Sequence, residues 1–346
     1  MAPRTKEELD ALSVIDPEIE AIVRSRPLPA PETETETSSI ETRVAQLRSL
    51  ESQWPVPPPV AGVKESNPKF TTRDGVNLNL FVYEPAYADP HSSTPRPLVI
   101  FFHGGGGVIG SAKSVASLAG SLVLAHGCVV VSPQYRLAPE HKFPTGVNDG
   151  WDAFVHVTSK ASDLGADCSA GLVVGGVSFG AVLASVIALR AKEENRTPRI
   201  TGLYFSAPSL IASSDTVPPE YKDQYRSRTD ERCLSSPVLD KKTKALFDAA
   251  YGADPKSPLY RVLNVQPLSK HAGIAPKAYF QICGMDILRD DGFIYEQILA
   301  ASGVETKVDV YPGAPHIFWA VFQSIKQATK WKDDTVRGVG WLLDRQ

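Results

Sequence analysis

The sequence predicts an α/β protein built on a mostly parallel sheet, and three observations carry that reading. Apolar runs without alternation, at 97–102, 128–131 and 172–175, have the texture of strands buried on both faces. Helical patterns fall between and after them, at 113–125, 147–160 and 181–190, and this strand–helix rhythm demands a parallel sheet with helices on both faces. Finally, Gly176-Val177-Ser178-Phe179-Gly180 lies between the third of these strands and its helix, the setting of a very tight turn.

Taken in order, residues 1–50 carry two helical patterns. Leu9, Leu12, Ile15, Ile19, Ile22 and Val23 form a stripe interrupted at Pro17, and Ile40, Val44, Leu47 and Leu50 form a second. Between them, 27–39 is rich in Pro, Glu and Thr and reads as an exposed loop, and 54–59 reads as a stiff extended connector. Asp74-Gly75 is a turn signal ahead of a strand at 76–83, and the first pair of strands reads as a hairpin. After the strand at 200–205 the rhythm breaks at about Pro208 and resumes near Pro276. The interval holds Pro218, Pro219, Pro237, Pro255, Pro258 and Pro267 and a charged run at 220–232, and reads as an insertion. A strand at 278–283, a helix at 292–301, a strand at 306–311 and a last helix from Phe318 complete the pattern.

With 346 residues, 42% of them hydrophobic and 22% charged, the chain has the makings of an ordinary globular core. A net charge of −3 gives no reason to expect nucleic acid or an anionic membrane as partner. No stretch approaches the roughly 18 apolar residues of a membrane span, and the N-terminus opens no apolar leader, so an intracellular, cytoplasmic protein without an integral membrane segment is expected. Cys128, Cys168, Cys233 and Cys283 are scattered and support neither a disulfide framework nor a metal site; Cys128 and Cys283, in strands, read as small buried residues.

Ser178 is the candidate nucleophile. A tight strand-to-helix turn lifts its Oγ clear of the sheet, and the helix N-terminus adds partial positive charge beside it. The pattern G-x-S-x-G alone is weak, so its partners decide. An acyl-transfer serine needs a base, a group that orients the base, and donors for an oxyanion. In such a sheet these come from loops at the carboxyl ends of strands. His316, in the loop after strand 306–311, is the candidate base, whereas His91 and His141 read as exposed loop residues, His126 and His156 sit on helices, and His271 ends the insertion. Asp286, after strand 278–283, is the candidate orienter; Asp290 and Asp291 open the next helix and are expected to serve its N-terminus. His103-Gly104-Gly105-Gly106-Gly107 follows strand 97–102, and the N–H groups of Gly104, Gly105 and Phe179 make a candidate three-donor oxyanion hole.

Gly105-x-Gly107-x-x-Gly110 also matches a dinucleotide fingerprint. That motif wants an acidic residue about 20 positions on, at the end of the next strand, to hold the ribose. Here the strand ends in Val131-Ser132-Pro133-Gln134, and no G-K-[ST] offers a phosphate loop. Nucleotide binding is not expected.

At this point the chain resembles the hormone-sensitive-lipase-like carboxylesterases of the α/β-hydrolase superfamily. The matching residues are His103-Gly104-Gly105-Gly106, Tyr135-Arg136-Leu137-Ala138-Pro139-Glu140, Gly176-Val177-Ser178-Phe179-Gly180 and Asp286-Ile287-Leu288-Arg289-Asp290-Asp291-Gly292, with His316 at the expected distance. The order Ser178, Asp286, His316 is that of the superfamily. The resemblance spans at least 70–340. It implies an α/β-hydrolase fold with a mostly parallel eight-stranded sheet and a helical cap. Residues 1–60 would contribute N-terminal helices to the cap, 61–207 and 271–346 would form the core, and 208–270 the cap insertion. It implies a serine carboxylic-ester hydrolase acting through an acyl-enzyme on small to medium apolar esters, needing no cofactor and no metal. It hints at a homodimer, for which the sequence holds no interface signal.

Two departures from the family pattern stand out. Val177 replaces a commonly acidic residue, and Phe179-Gly180-Ala181 replaces alanine followed by two glycines. Phe179 keeps its backbone N–H, so the departure bears on substrate range rather than on chemistry. Gly106, Phe179, Leu210 and Tyr221 are the candidate substrate-pocket residues, while Tyr204, Phe205, Ile211 and Tyr225 either line the same pocket or belong to the core. The 135–140 motif reads as a brace for the oxyanion loop. Two alternatives stay open. One is the same site used for acyl transfer or elimination with water excluded. The other is a silent small-molecule-binding protein, as in plant hormone receptors that resemble this family but lack the histidine that is present here as His316.

Overall fold

The computed structural model describes residues 4–25, 38–54, 58–87 and 94–345. His91, most of the Pro/Glu/Thr-rich loop and part of the Pro-rich connector lie outside the described residues. The chain opens with helices α1 (Lys6–Leu12), α2 (Pro17–Ser25) and α3 (Ile40–Ser52). Pro17 starts α2 rather than interrupting it, because the first helical position needs no N–H donor. Asp16 Oδ1 accepts from the Glu18 and Ile19 N–H groups at 2.8 and 3.3 Å and so closes that end.

The strands are β1 (Val63–Ser66), β2 (Lys69–Thr71), β3 (Asn77–Pro85), β4 (Leu98–Phe102), β5 (Val129–Pro133), β6 (Leu172–Val177), β7 (Gly202–Ser206), β8 (Lys277–Cys283) and β9 (Glu305–Tyr311). Their order in the sheet is β1-β3-β5-β4-β6-β7-β8-β9, parallel from β5 onward, with β1–β3 and β3–β5 antiparallel. Eight strands form that path; the ninth, β2, pairs only with β3 in the hairpin expected around Asp74-Gly75.

The missing alternation in the sequence has a direct cause. In β4, Leu98, Ile100 and Phe102 enter one apolar layer while Val99 and Phe101 enter the other. Both faces are covered, so both sets of side chains must be apolar.

Helices α4 (Ala116–His126), α5 (Thr145–Ser159), α6 (Phe179–Glu193), α7 (Glu231–Leu234), α8 (Lys241–Tyr251), α9 (Arg289–Ala301), α10 (Phe318–Val321) and α11 (Lys326–Leu342) follow in chain order. Those numbered α4 and α11 cover one face, and α5, α6 and α9 the other. The 208–270 segment is irregular apart from α7, α8 and short 3-10 turns, and α8 packs against α3. Among the described residues no helix is long and apolar enough to cross a membrane.

Asp290 and Asp291 correct the sequence reading. They do open α9, yet both are fully buried and turn away from its N-terminus toward the 208–270 segment. Asp290 Oδ2 accepts from the Arg226 and Ser227 N–H groups at 2.6 Å each. Asp291 Oδ2 accepts from the Leu210 and Ile211 N–H groups at 2.9 Å each and lies 3.1 Å from Arg228. Burial raises the Asp291 carboxyl pKa, and Arg228 opposes that rise. The pair acts as a clasp between sheet and insertion.

Replacing Asp291 by Ala strands a largely buried guanidinium and two buried N–H groups, a loss of about 3 kcal/mol. Thermal unfolding of Asp291→Ala should therefore start several degrees below wild type, and an unchanged unfolding temperature would refute the clasp.

Candidate active site

Ser178 sits between β6 and α6 with φ +55° and ψ −114°, a strained conformation for a residue with a side chain. The strain is held from both sides. The Ser178 N–H donates to the Ser206 carbonyl at 2.9 Å, and the Ser178 carbonyl accepts from Ala181 N at 3.0 Å. Glycine flanks it for want of space: a Cβ on Gly176 would lie 2.6 Å from the Phe102 carbonyl oxygen, and one on Gly180 would lie 2.1 Å from it.

Parallel register then delivers the other groups to the same edge of the sheet. Phe102 pairs with Gly176, so the loop after β4 emerges beside Ser178. Cys283 pairs with Tyr311, so the loops after β8 and β9 emerge together. Strands β6 and β9 are three positions apart, about 14 Å at the usual strand spacing, and the 312–316 loop crosses that span. His316 Nε2 reaches Ser178 Oγ at 2.9 Å, and His316 Nδ1 reaches Asp286 Oδ2 at 2.6 Å. The other Asp286 oxygen accepts from Leu288 N at 2.9 Å. All three side chains are buried.

A brace that the sequence reading did not foresee holds these loops. The turn between α1 and α2 lies across both: Gly313 N donates to the Leu12 carbonyl at 2.8 Å, and Asp16 N donates to the Gly313 carbonyl at 3.1 Å. Buried Arg289 donates through Nη1 to the Leu9 carbonyl at 2.8 Å and to Ser13 Oγ at 2.7 Å, and through Nε to Asp290 at 2.7 Å.

The glycine loop after β4 points its backbone at the serine. A Cβ on Gly104 would stand 3.4 Å from Ser178 Cβ, and Gly105 has φ +107°, with Ile109 O where its Cβ would go. Among the described residues the N–H groups of Gly104, Gly105 and Phe179 have no hydrogen-bond acceptor. The Tyr135 hydroxyl donates to the His103 carbonyl at 2.9 Å, and its ring stacks on the imidazole at 4.2 Å. Burial pushes the His103 pKa down to about 4, so the ring is neutral near pH 7 and its Nδ1–H faces the Gly104 carbonyl at 2.7 Å. Ala138 N donates to the Gly107 carbonyl at 2.8 Å, and Arg48 of α3 ties Val108, Ala138 and Glu140 together. The brace expected of the 135–140 motif is thus visible bond by bond.

The candidate pocket residues fare differently. Gly106 and Phe179 lie at the site: a Cβ on Gly106 would press on Phe247, and the Phe179 ring meets Tyr251 at 5.0 Å. Leu210 is fully buried, and its backbone serves the Asp291 clasp. Tyr221 instead lines a groove with Leu268, Ile298 and Ala301. That groove is at the far end of α9, about 18 Å along the helix from Arg289 and the candidate site. Tyr204 and Phe205 are core, Tyr204 with its hydroxyl donating to Gln281 at 2.5 Å, and Ile211 is buried beside Leu210. The Arg228 guanidinium lies 5.8 Å from the Tyr225 ring centroid. The residues missed are Phe247 and Tyr251, and their one signal is aromatic spacing on an amphipathic helix of the insertion. Phe247 also joins Leu234, Leu239, Ile287 and Leu288, which places an apolar patch next to Asp286.

Comparisons with known proteins agree with this architecture. A family model for the alpha/beta hydrolase fold matches residues 99–320, and one for the carboxylesterase family matches 46–140. An AB hydrolase superfamily protein of Schizosaccharomyces pombe is 34% identical over 340 residues, 95% of this chain and 94% of that protein. Versiconal hemiacetal acetate esterase of Dothistroma septosporum is 29% identical over 254 residues, 72% of this chain and 75% of that enzyme. Among solved structures, vibralactone cyclase superposes with a TM-score of 0.84 at 27% identity, over 99% of this chain and 98% of that one. With the family model covering most of the chain and esterases among its relatives, this hydrolase belongs to the hormone-sensitive-lipase-like carboxylesterases of the α/β-hydrolase superfamily.

Proposed function

We propose that the chain is a serine carboxylic-ester hydrolase working through an acyl-enzyme on small to medium esters, with Ser178, His316 and Asp286 as its catalytic triad. The observation that carries this reading is the line Asp286–His316–Ser178, bonded at 2.6 and 2.9 Å and ending on a strained serine. His316 Nε2 takes the Ser178 proton as Oγ attacks the ester carbonyl. Asp286 fixes the imidazole tautomer and stabilises the cation that forms. The oxyanion is received by the N–H groups of Gly104, Gly105 and Phe179, each such donor contributing about 3–4 kcal/mol to the transition state. His316 returns the proton to the departing alcohol, then activates the water that releases the acid. No cofactor or metal enters these steps.

The contact of α3 with α8 supports a cap assembled from residues 1–60 and 208–270 over a core of 61–207 and 271–346. Phe179, Phe247 and Tyr251 form the pocket wall nearest the serine, and Gly106 leaves room for Phe247. The likeness to a protein named a cyclase favours a second reading, in which a hydroxyl rather than water intercepts the acyl-enzyme. Product analysis with and without added alcohol separates the two: ester products that grow with alcohol at the expense of free acid indicate transfer.

On a p-nitrophenyl ester series, Ser178→Ala should lose at least about 1,000-fold in kcat, and Asp286→Asn about 10⁴-fold, the cost of the same change in a serine-protease triad. Wild-type turnover with an equally active Ser178→Ala would remove the serine from the mechanism. The brace makes a separate prediction. Tyr135→Phe keeps the stacked ring but leaves the buried His103 carbonyl without its donor, about 1–3 kcal/mol. We expect kcat to fall roughly 10-fold with a smaller change in KM, because oxyanion contacts tighten in the transition state. A change confined to KM would place Tyr135 outside the oxyanion machinery.

A further inference from the structure

The side chains beneath α8 are apolar near Ser178 and cationic farther away. On α8, Lys244, Phe247 and Tyr251 fall on one face at helical spacing. Phe247 and Tyr251 press on Gly106 and Gly107 of the oxyanion loop. Lys244 pairs with Asp248 at 2.5 Å, and the Tyr260 hydroxyl donates to the same carboxylate at 3.3 Å. Tyr260 stacks toward Tyr251, ring centroids 6.3 Å apart, and Arg261 lies behind it with its guanidinium 3.9 Å from the Tyr260 ring.

Arg261 breaks the rule that buried charges are paired. It is 5% exposed. Its Nη1 donates to the Tyr260 carbonyl at 2.8 Å, and its Nε is buried with no partner. Among the described residues no carboxylate lies within ion-pair distance of it, whereas the partly exposed Arg228 and the buried Arg289 hold Asp291 and Asp290. The Tyr251 hydroxyl is also buried without a partner, close enough to Arg261 for the guanidinium to oppose the burial-driven rise of the phenol pKa. Burial, with Arg228 and Arg261 nearby, pushes the Lys244 ammonium down to about 8. Three cations thus face two carboxylates, Asp291 and Asp248. Arg228 Nε is buried without a partner as well, but its guanidinium already holds Asp291; the other two unmet donors, Arg261 Nε and the Tyr251 hydroxyl, belong to one aromatic cluster that ends on Phe179, next to the nucleophile.

We infer that Arg261 and the Tyr251 hydroxyl, backed by Lys244, form a subsite for a carboxylate carried by the ester substrate away from its scissile bond. The preferred substrates are then half-esters of dicarboxylic acids rather than plain apolar esters. This deepens the esterase reading above and rests on it. An acid of this kind supplies the counter-charge that Arg261 lacks, while its methylene chain lies along Phe179, Phe247 and Tyr251.

The test is a specificity ratio: kcat/KM for mono-p-nitrophenyl adipate, pimelate and suberate over their ω-methyl esters. Wild type should favour the free acid at least 10-fold at one chain length. Arg261→Gln should cut that ratio 10-fold or more, and Tyr251→Phe, which keeps the ring in place, should cut it several-fold. A wild-type ratio at or below one for every chain length, unaltered in both variants, overturns the proposal. Calorimetry on Ser178→Ala separates this failure from failure of the esterase reading, since it needs no turnover. Monomethyl adipate binding at least 10-fold more tightly than dimethyl adipate, with the preference lost in Ser178→Ala/Arg261→Gln, upholds the subsite even if no ester is hydrolysed. Equal binding of the two refutes it even if hydrolysis is fast.

Discussion

The site depends on how closely the Ser178 turn approaches the end of β4. The Phe102 carbonyl sits where side chains on Gly176 and Gly180 would have to go. That contact forces glycine at both flanks of the serine and drives the serine into its strained conformation. It also delivers the next residues of the chain, 103–107, onto Ser178, because Phe102 and Gly176 are register partners in adjacent strands. Ser178 and the candidate oxyanion donors are therefore placed by one close approach rather than by two independent loops. The stacked His103–Tyr135 pair and the Arg48 bonds then keep the donor loop from relaxing away.

What the sequence disclosed follows from the range of the interactions involved. Strands and helices of the core were legible because their burial is periodic and local, as the split of β4 between two layers illustrates. Ser178, Asp286 and His316 were legible because register carries the ends of parallel strands to one edge, and only a few polar residues stand at those ends. Asp290 and Asp291 misled because an aspartate that caps a helix and one that clasps a distant loop look alike in one dimension. The α1–α2 turn left still less trace, since its bonds to Gly313 run from backbone to backbone. Its backbone contacts leave their imprint in a pair of glycines: a Cβ on Gly284 would meet the Leu12 carbonyl at 2.5 Å, and one on Gly313 the Val14 carbonyl at 2.2 Å. Tyr221 was misplaced because aromatic residues in an irregular insertion carry no period from which to read a direction.

The stretch 284–291 gathers more than Asp286, the partner of His316. Arg289 holds the N-terminal turn, Asp290 holds Arg226 and Ser227, and Asp291 holds Leu210, Ile211 and Arg228. Both covering segments are thus moored to the loop and helix start that position Asp286. Loosening either would leave a buried carboxylate or guanidinium without its partner, a cost of several kcal/mol. These segments and the Asp286–His316–Ser178 line are consequently coupled: the geometry that orients His316 is stable only while the N-terminal turn and the insertion are seated.

Charge in this interior also sorts by role. A buried ion pair rarely adds net stability over an apolar replacement, because desolvation consumes most of the Coulombic gain. Arg228–Asp291 and Arg289–Asp290 are therefore better understood as devices that fix how the insertion and the N-terminal turn sit on the sheet, since each pair also bonds backbone that only one arrangement supplies. Arg261 fixes no such arrangement, touching only the ring and carbonyl of its neighbour Tyr260. A guanidinium kept dry without a counter-ion costs the free protein stability, which the Tyr260 carbonyl and ring return only in part. An arriving anion would supply the missing counter-charge, and the aromatic cluster from Tyr260 through Tyr251 to Phe179 leads from Arg261 toward Ser178.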